Sequence, residues 1–157
     1  MCDRSGLSIA ELVRANETVL ADEASVHDRL DRLTAVMFDC IDRGMRTDGE
    51  LPGGLHVSAV RGHCNARLQA SETRNLRQSI PAMDYASMYA NAANEENAAR
   101  SRVVTAPTNG AAGVIRAVLR YYANHCQDAS KDGIRIFLLI QRGDRRAVQD
   151  ECVDLGR

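Results

Sequence analysis

The segment Thr105 to Gly113, TAPTNGAAG, holds the residues best placed to do chemistry. Pro107 disfavours helix immediately before it. Ala111, Ala112, Val114, Ile115, Val118, Leu119 and Tyr122 then recur at helical spacing, which predicts a helix starting near Asn109. Thr108, Asn109 and Gly110 would stand at its N-terminus. First-turn N–H groups there lack intrahelical partners, and the helix dipole adds partial positive charge. Gly110, Ala111, Ala112 and Gly113 are small enough to let a carboxylate or phosphate reach the backbone. From spacing alone the same residues read more readily as a plain helix cap followed by a closely packed helix.

Other candidates are weaker. In Asn94-Glu95-Glu96-Asn97, the two asparagines lie three residues apart and share one helical face. They can grip a small polar ligand, or the four residues can form a solvated face. The loop LPGGL, Leu51 to Leu55, can offer backbone N–H groups or simply turn the chain. His63-Cys64 and His125-Cys126 pair metal-ligand types, but helical neighbours point about 100° apart, so neither pair need converge. No nucleophile–base motif and no phosphate loop is present. A catalytic base and a metal-ligand set are therefore left unassigned.

Helices must carry these residues. Ser8-Ile9-Ala10-Glu11 reads as a capping box, followed by Leu12, Val13, Val19 and Leu20. Ser25 with Asp28 reads as a second cap. Val26, Leu30, Leu33, Val36, Met37, Cys40 and Ile41 then form one stripe, and Gly44 ends the helix. Residues 45–57 are a loop, and Ser58 to Asn75 a short helix with a polar surface segment. Pro81 suits the first turn of a helix that runs to about Ala99 through Met83, Tyr85, Met88, Tyr89, Ala92 and Ala93. Met37, Met83 and Met88 are core fillers. Ser130 caps a last helix through Ile134, Phe137 and Leu138. The tail from Gln141 is charged and poorly periodic. The fold class is all-α, a helical bundle-like arrangement.

Composition excludes several functions. The 157 residues carry 20 Lys+Arg and 21 Asp+Glu, net −1, so there is no basic field to hold nucleic acid or an anionic membrane. No apolar run is long enough for a transmembrane helix or a signal peptide. Cys2, Cys40, Cys64, Cys126 and Cys152 are scattered, with no C-x-x-C pair, which suits free thiols in a reducing cytoplasm.

LPGGL, NEENAA and TAPTNGAAG in this order, with GLSIAELVRANE (Gly6 to Glu17), CIDRGM and RVVTAPTNGAAGVIRAVLRYY, resemble the iron–sulfur-dependent bacterial L-serine dehydratases, or L-serine ammonia-lyases. The resemblance covers most of residues 6–139. It implies deamination of L-serine to pyruvate and ammonia by a [4Fe–4S] cluster acting as a Lewis acid. It implies a helical catalytic domain, of which this chain matches the first half, beside an α/β regulatory domain. It places Thr108, Asn109 and Gly110, with Asn94 and Asn97, around the serine. The family's cluster cysteines lie in the other half, so the expectation is no cluster on this chain and no activity alone. The expected partners are L-serine and either a homo-oligomer mate or a separate chain bearing the missing half. The alternative is a helical serine-binding or interaction module without catalysis.

Departures from the family pattern are also informative. Arg100 and Ser101 replace two glycines, Arg116 stands where proline is common, and Thr34 and Tyr85 where tryptophan is common. After FLL, Phe137 to Leu139, the family continues roughly TAAAIGALYKMNASISG. Read one nucleotide later, the codons of Arg142 to Arg157 can spell AAIGALFKMNASISGA. The expected organisation is thus a partial catalytic domain over 1–139 and an out-of-frame polar tail over 140–157.

Overall fold

The computed structural model describes residues 6–47, 49–52, 56, 81–104 and 109–154, with no account of side chains beyond residue 142. Among these are the helices α1 (Ile9–Thr18), α2 (Glu23–Arg46), α3 (Pro81–Ala98), α4 (Asn109–His125) and α5 (Lys131–Asp154). No strand occurs among the described residues, and the all-α expectation holds. The predicted segment over Ser58 to Asn75 lies outside the described residues.

The chain divides into two units. The first comprises residues 1–32 and 129–157, with α1 packed on α5. The predicted capping box is present: the Glu11 N–H donates to Ser8 Oγ at 3.3 Å, and the Ser8 N–H to Glu11 Oε2 at 2.8 Å. Glu17 on α1 is buried and held by Arg29 Nη2 at 2.6 Å and by Arg142 Nε at 2.8 Å. One carboxylate thereby ties α1 to α2 and to α5. Arg135 on α5 grips Asp31 with both arms of its guanidinium, Nε at 2.8 Å and Nη2 at 2.7 Å. This fork holds the Asp31 carboxyl below its ordinary range.

Several local expectations are corrected here. Val19 and Leu20 lie beyond the end of α1 and are exposed, because α1 stops at Thr18. Asp22, not Ser25 with Asp28, caps α2: Asp22 Oδ2 accepts the Ser25 N–H at 3.2 Å. The backbone of the tail stays helical to Asp154. Its Arg, Ala, Gln and Glu favour helix, and no proline interrupts them.

The second unit, residues 33–128, holds the rest of α2 with α3 and α4. Cys40, Ile41, Met88, Tyr89, Ala93 and Ala117 form its core. Gly44 does not end α2. The helix runs on to Arg46, and a Cβ at Gly44 would lie 2.5 Å from the Ala92 carbonyl oxygen. The missing side chain lets α2 approach the backbone of α3. Pro81 opens α3 as predicted. Met83 is 64% exposed and is no core filler; it lies in the first turn of α3, off its buried face.

The end of α3 explains what Arg100 does. The Arg100 N–H donates to the Asn97 carbonyl at 3.0 Å and the Ser101 N–H to the Glu96 carbonyl at 3.0 Å. This is a Schellman closure with Arg100 at the left-handed position, φ +58°. Glycine adopts that conformation freely, whereas a Cβ there costs about 1–2 kcal/mol.

Arg100→Gly is therefore expected to stabilise the chain by about 1 kcal/mol, read as a higher urea midpoint with an unchanged slope. Gly44→Ala is expected to destabilise it by about 1–3 kcal/mol in the same assay. Folding lowers the Asp31 pKa, so its contribution is complete above the unfolded value of about 3.9 and fades as pH falls through the folded pKa. Asp31→Asn should thus flatten the fall in the urea midpoint on acidification below that value, and an undiminished fall would count against the Arg135 fork.

Candidate functional site

The sequence places two polar segments on two helices, and packing brings them together. Tyr89 near the middle of α3 meets His125 and Asn124 at the end of α4, while Asn94 further along α3 meets Gly113 near its start. The two helices are therefore antiparallel. A Cβ at Gly113 would lie 2.5 Å from Asn94 Oδ1, so the Asn94 carboxamide occupies the space a side chain would fill. Gly113 is four residues into α4, about 6 Å along the axis from Asn109.

Asn109 is the first residue of α4 and Gly110 the second, exposed. Thr108, like the rest of residues 105–108, lies outside the described residues, as do Gly53 to Leu55 of the LPGGL loop and the His63-Cys64 pair. Asn94 is exposed and reaches the first turns of α4; Asn97 is half-buried near the α3 terminus.

The two glutamates between the asparagines do not form a solvated face. Glu95 and Glu96 are both buried. Glu96 Oε2 accepts from Arg43 Nε at 3.2 Å, and Arg43 Nη2 continues to the Arg102 carbonyl at 2.8 Å. This pair fastens the α3 terminus and the residues after it to α2. A buried carboxylate keeps its charge at tolerable cost only with such a partner.

Sequence reading missed the strongest electrostatic feature. Arg116, expected only to disturb packing, is fully buried and is the largest such side chain among the described residues. Its Nε donates to the Ala112 carbonyl at 2.9 Å and its Nη1 to Cys40 Sγ at 3.5 Å, while Nη2 has no hydrogen-bond partner among the described residues. Helical side chains lean toward the N-terminus, which carries the guanidinium back to the level of Ala112. A full positive charge thus adds to the partial charge at the start of α4 and favours an anion there. Burial pushes the Cys40 thiol up, with the Arg116 guanidinium only partly offsetting it. Among the described residues no carboxylate pairs with Arg116, and a lone buried charge is costly.

At the opposite end of α4, His125 lies between Tyr85, ring centroids 4.3 Å apart, and Tyr121, 4.8 Å apart. Its Nε2 is 3.3 Å from Tyr89 Oη, which also accepts from Asn124 Nδ2 at 3.2 Å. His125 is part of an aromatic stack, and Cys126 beside it is exposed. Among the described residues no three His, Cys, Asp or Glu side chains gather as a metal site. Of the cysteines, Cys40 is a buried thiol beside a guanidinium and Cys126 an exposed one. These donors do not fit an iron–sulfur cluster, which takes several converging thiolates.

Arg116→Met, which keeps the length and removes the charge, is expected to stabilise the chain by about 1–3 kcal/mol in urea titrations. Gly113→Ala is expected to cost about 1–3 kcal/mol and to shift the Asn94 side-chain amide resonances, because the new methyl needs the space that carboxamide fills.

Comparison with known proteins bears on this geometry. The family model for the serine dehydratase alpha chain matches residues 4–142. An L-serine dehydratase of Streptomyces coelicolor is 47% identical over 139 residues, covering 86% of this chain and 29% of that protein. The L-serine dehydratase TdcG of Escherichia coli is 43% identical over 139 residues, 88% of this chain and 30% of its own length. An L-serine dehydratase of Mycobacterium tuberculosis is 41% identical over 132 residues, 84% of this chain and 28% of its own. The chain thus spans about 30% of the length of these relatives. The match spans α1 to α4 and the first half of α5, and with them the Asn94–Gly113 contact and the start of α4: the chain belongs to the serine dehydratase alpha chain family.

Proposed function

We propose that this chain supplies the serine-recognition part of an L-serine ammonia-lyase, which converts L-serine to pyruvate and ammonia in cytoplasmic amino-acid catabolism and gluconeogenesis. The observation that carries this is the Asn94 carboxamide seated on Gly113, beside the N-terminal turn of α4. The serine carboxylate would meet the backbone N–H groups at Asn109 and Gly110 in the positive field of α4 and Arg116. Asn94 offers a donor and an acceptor to the ammonium and hydroxyl groups. Thr108 and Asn97 complete the set named by the family resemblance.

In the whole enzyme a [4Fe–4S] cluster would supply Lewis acidity toward the leaving hydroxyl. The described thiols of this chain do not fit that cluster, so no step is assigned through it. A second reading has one observation in its favour: the Asn94–Gly113 contact involves no cluster ligand, which suits a serine-binding module without catalysis. Residues 140–157 are read as an out-of-frame tail following a partial catalytic domain. The coding DNA decides this, because codons unable to spell NASISG in the shifted frame would sink it.

Calorimetric titration of the chain with L-serine, with D-serine as control, tests the recognition. The expected result is selective binding, weakened about 10-fold or more by Asn94→Ala, the loss of one charge-assisted hydrogen bond. Anaerobic addition of iron and sulfide is expected to give neither a brown chromophore nor pyruvate. Turnover by the chain alone would overturn the assignment of the cluster to other polypeptide. Absence of any serine binding would overturn the recognition site and leave an interaction module.

A further inference from the structure

Two consecutive residues of α2, Arg43 and Gly44, meet one face of α3. Gly44 faces the Ala92 backbone, where a Cβ would lie 2.5 Å from the carbonyl oxygen, and Arg43 Nε donates to Glu96 Oε2 at 3.2 Å. Ala92 and Glu96 are four residues apart, so they stand one turn apart on the same face of α3. Asn94 lies midway between them in sequence and therefore on nearly the opposite face, toward Gly113 of α4. The glycine sets how near α3 comes to α2. A contact between small residues constrains little how α3 is turned about its own axis. The charged contact does constrain it: Glu96 is buried, and its carboxylate must stay with the guanidinium.

Arg43 has a second hold on the same region. Its Nη2 donates to the Arg102 carbonyl at 2.8 Å, on the segment that leaves α3 for α4. The turn between these two anchor points is not held by residue preference, because Arg100 occupies the left-handed conformation there, φ +58°. One guanidinium therefore fixes both the rotation of α3 and the exit of the chain toward α4. These two coordinates decide where Asn94 lies relative to the first turns of α4.

We infer that Arg43 is a positioning residue for L-serine recognition: its guanidinium, bridging Glu96 and the Arg102 carbonyl, holds the Asn94 carboxamide against the start of α4 without itself meeting the ligand. The inference rests on the serine-recognition reading above. It goes beyond that reading by placing a determinant of affinity on α2, outside the two helices that bear the site. Lysine cannot replace the arginine, since an ammonium pairs with Glu96 as a point charge but lacks the planar fork that reaches a second acceptor in a fixed direction.

The test compares Arg43→Met, Arg43→Lys and Arg135→Met with the unsubstituted chain. Each is titrated calorimetrically with L-serine well below its melting midpoint, and its asparagine side-chain amide resonances are recorded. Arg43→Met is expected to weaken L-serine binding about 10-fold and to move the Asn94 amide pair, as one hydrogen-bonding group is displaced. Arg43→Lys is expected to keep most of the melting midpoint while remaining weak toward L-serine. Arg135→Met removes the ion pair with Asp31 in the other unit. It is expected to lower the midpoint and to leave both the affinity and the Asn94 resonances unchanged. A purely structural arginine gives a different pattern: affinity unchanged in whatever fraction stays folded, or lost in step with the midpoint across all three variants. Either pattern overturns the inference, as does an unmoved Asn94 resonance in Arg43→Met. Should Arg43→Met not fold, Arg43→Lys decides by itself. If the unsubstituted chain binds no L-serine, the recognition reading fails, and the Asn94 resonances alone judge the arginine. Shifted in the two Arg43 variants but not in Arg135→Met, they support its hold on Asn94; unshifted in all three, they overturn it.

Discussion

Everything in the second unit depends on how closely α3 can be approached from two sides. Gly44 of α2 meets the Ala92 backbone, and Gly113 of α4 meets the Asn94 side chain. Ala92 and Asn94 are two residues apart, so they face nearly opposite directions around α3. The helix is therefore clasped, not merely packed on one face. Its alanines at 92 and 93 suit that role, because large side chains there would force its neighbours outward. The position of Asn94 against the start of α4 follows from this clasp, and so does the candidate site.

The polar groups inside the clasp do unequal work. Glu96 and Arg43 satisfy one another and fix the α3 terminus. Arg116 has no such counter-charge among the described residues, and its interaction with a thiol and a carbonyl replaces hydration only in part. Arg100 similarly occupies a conformation suited to glycine. Two arginines thus stand at positions where backbone geometry or burial favours other residues, one just after α3 and one within α4. The charge of Arg116 nevertheless has a consequence at the helix start, where it reinforces the dipole.

Much of the scaffold was legible in the sequence because it is written locally. Ser8 with Glu11, Pro81 and Ser130 each signal a helix start through groups within three residues of one another, and all three start helices. The start of α4 at Asn109 was legible from Pro107 and the change of periodicity. Gly44 was misread because a helix-ending glycine and one that admits a neighbouring helix look alike until the neighbour is placed. Glu95 and Glu96 were misread for a related reason: a run of polar residues signals solvent unless the arginine that neutralises it, 53 positions away in the case of Glu96, is known to arrive. The site was legible as segments, while the contact joining Asn94 to Gly113 is a product of packing.

The aromatic stack at His125 makes the two units optically unequal. The chain has no tryptophan, and its four tyrosines, at 85, 89, 121 and 122, all lie on α3 and α4. Three of them surround or adjoin His125. Intrinsic emission and near-ultraviolet dichroism therefore report on one pair of antiparallel helices and are nearly blind to the unit built from α1 and α5, which is followed only through its backbone. Comparing the two signals during unfolding separates the loosening of the α3–α4 clasp from the melting of helix elsewhere, with no label added to the protein.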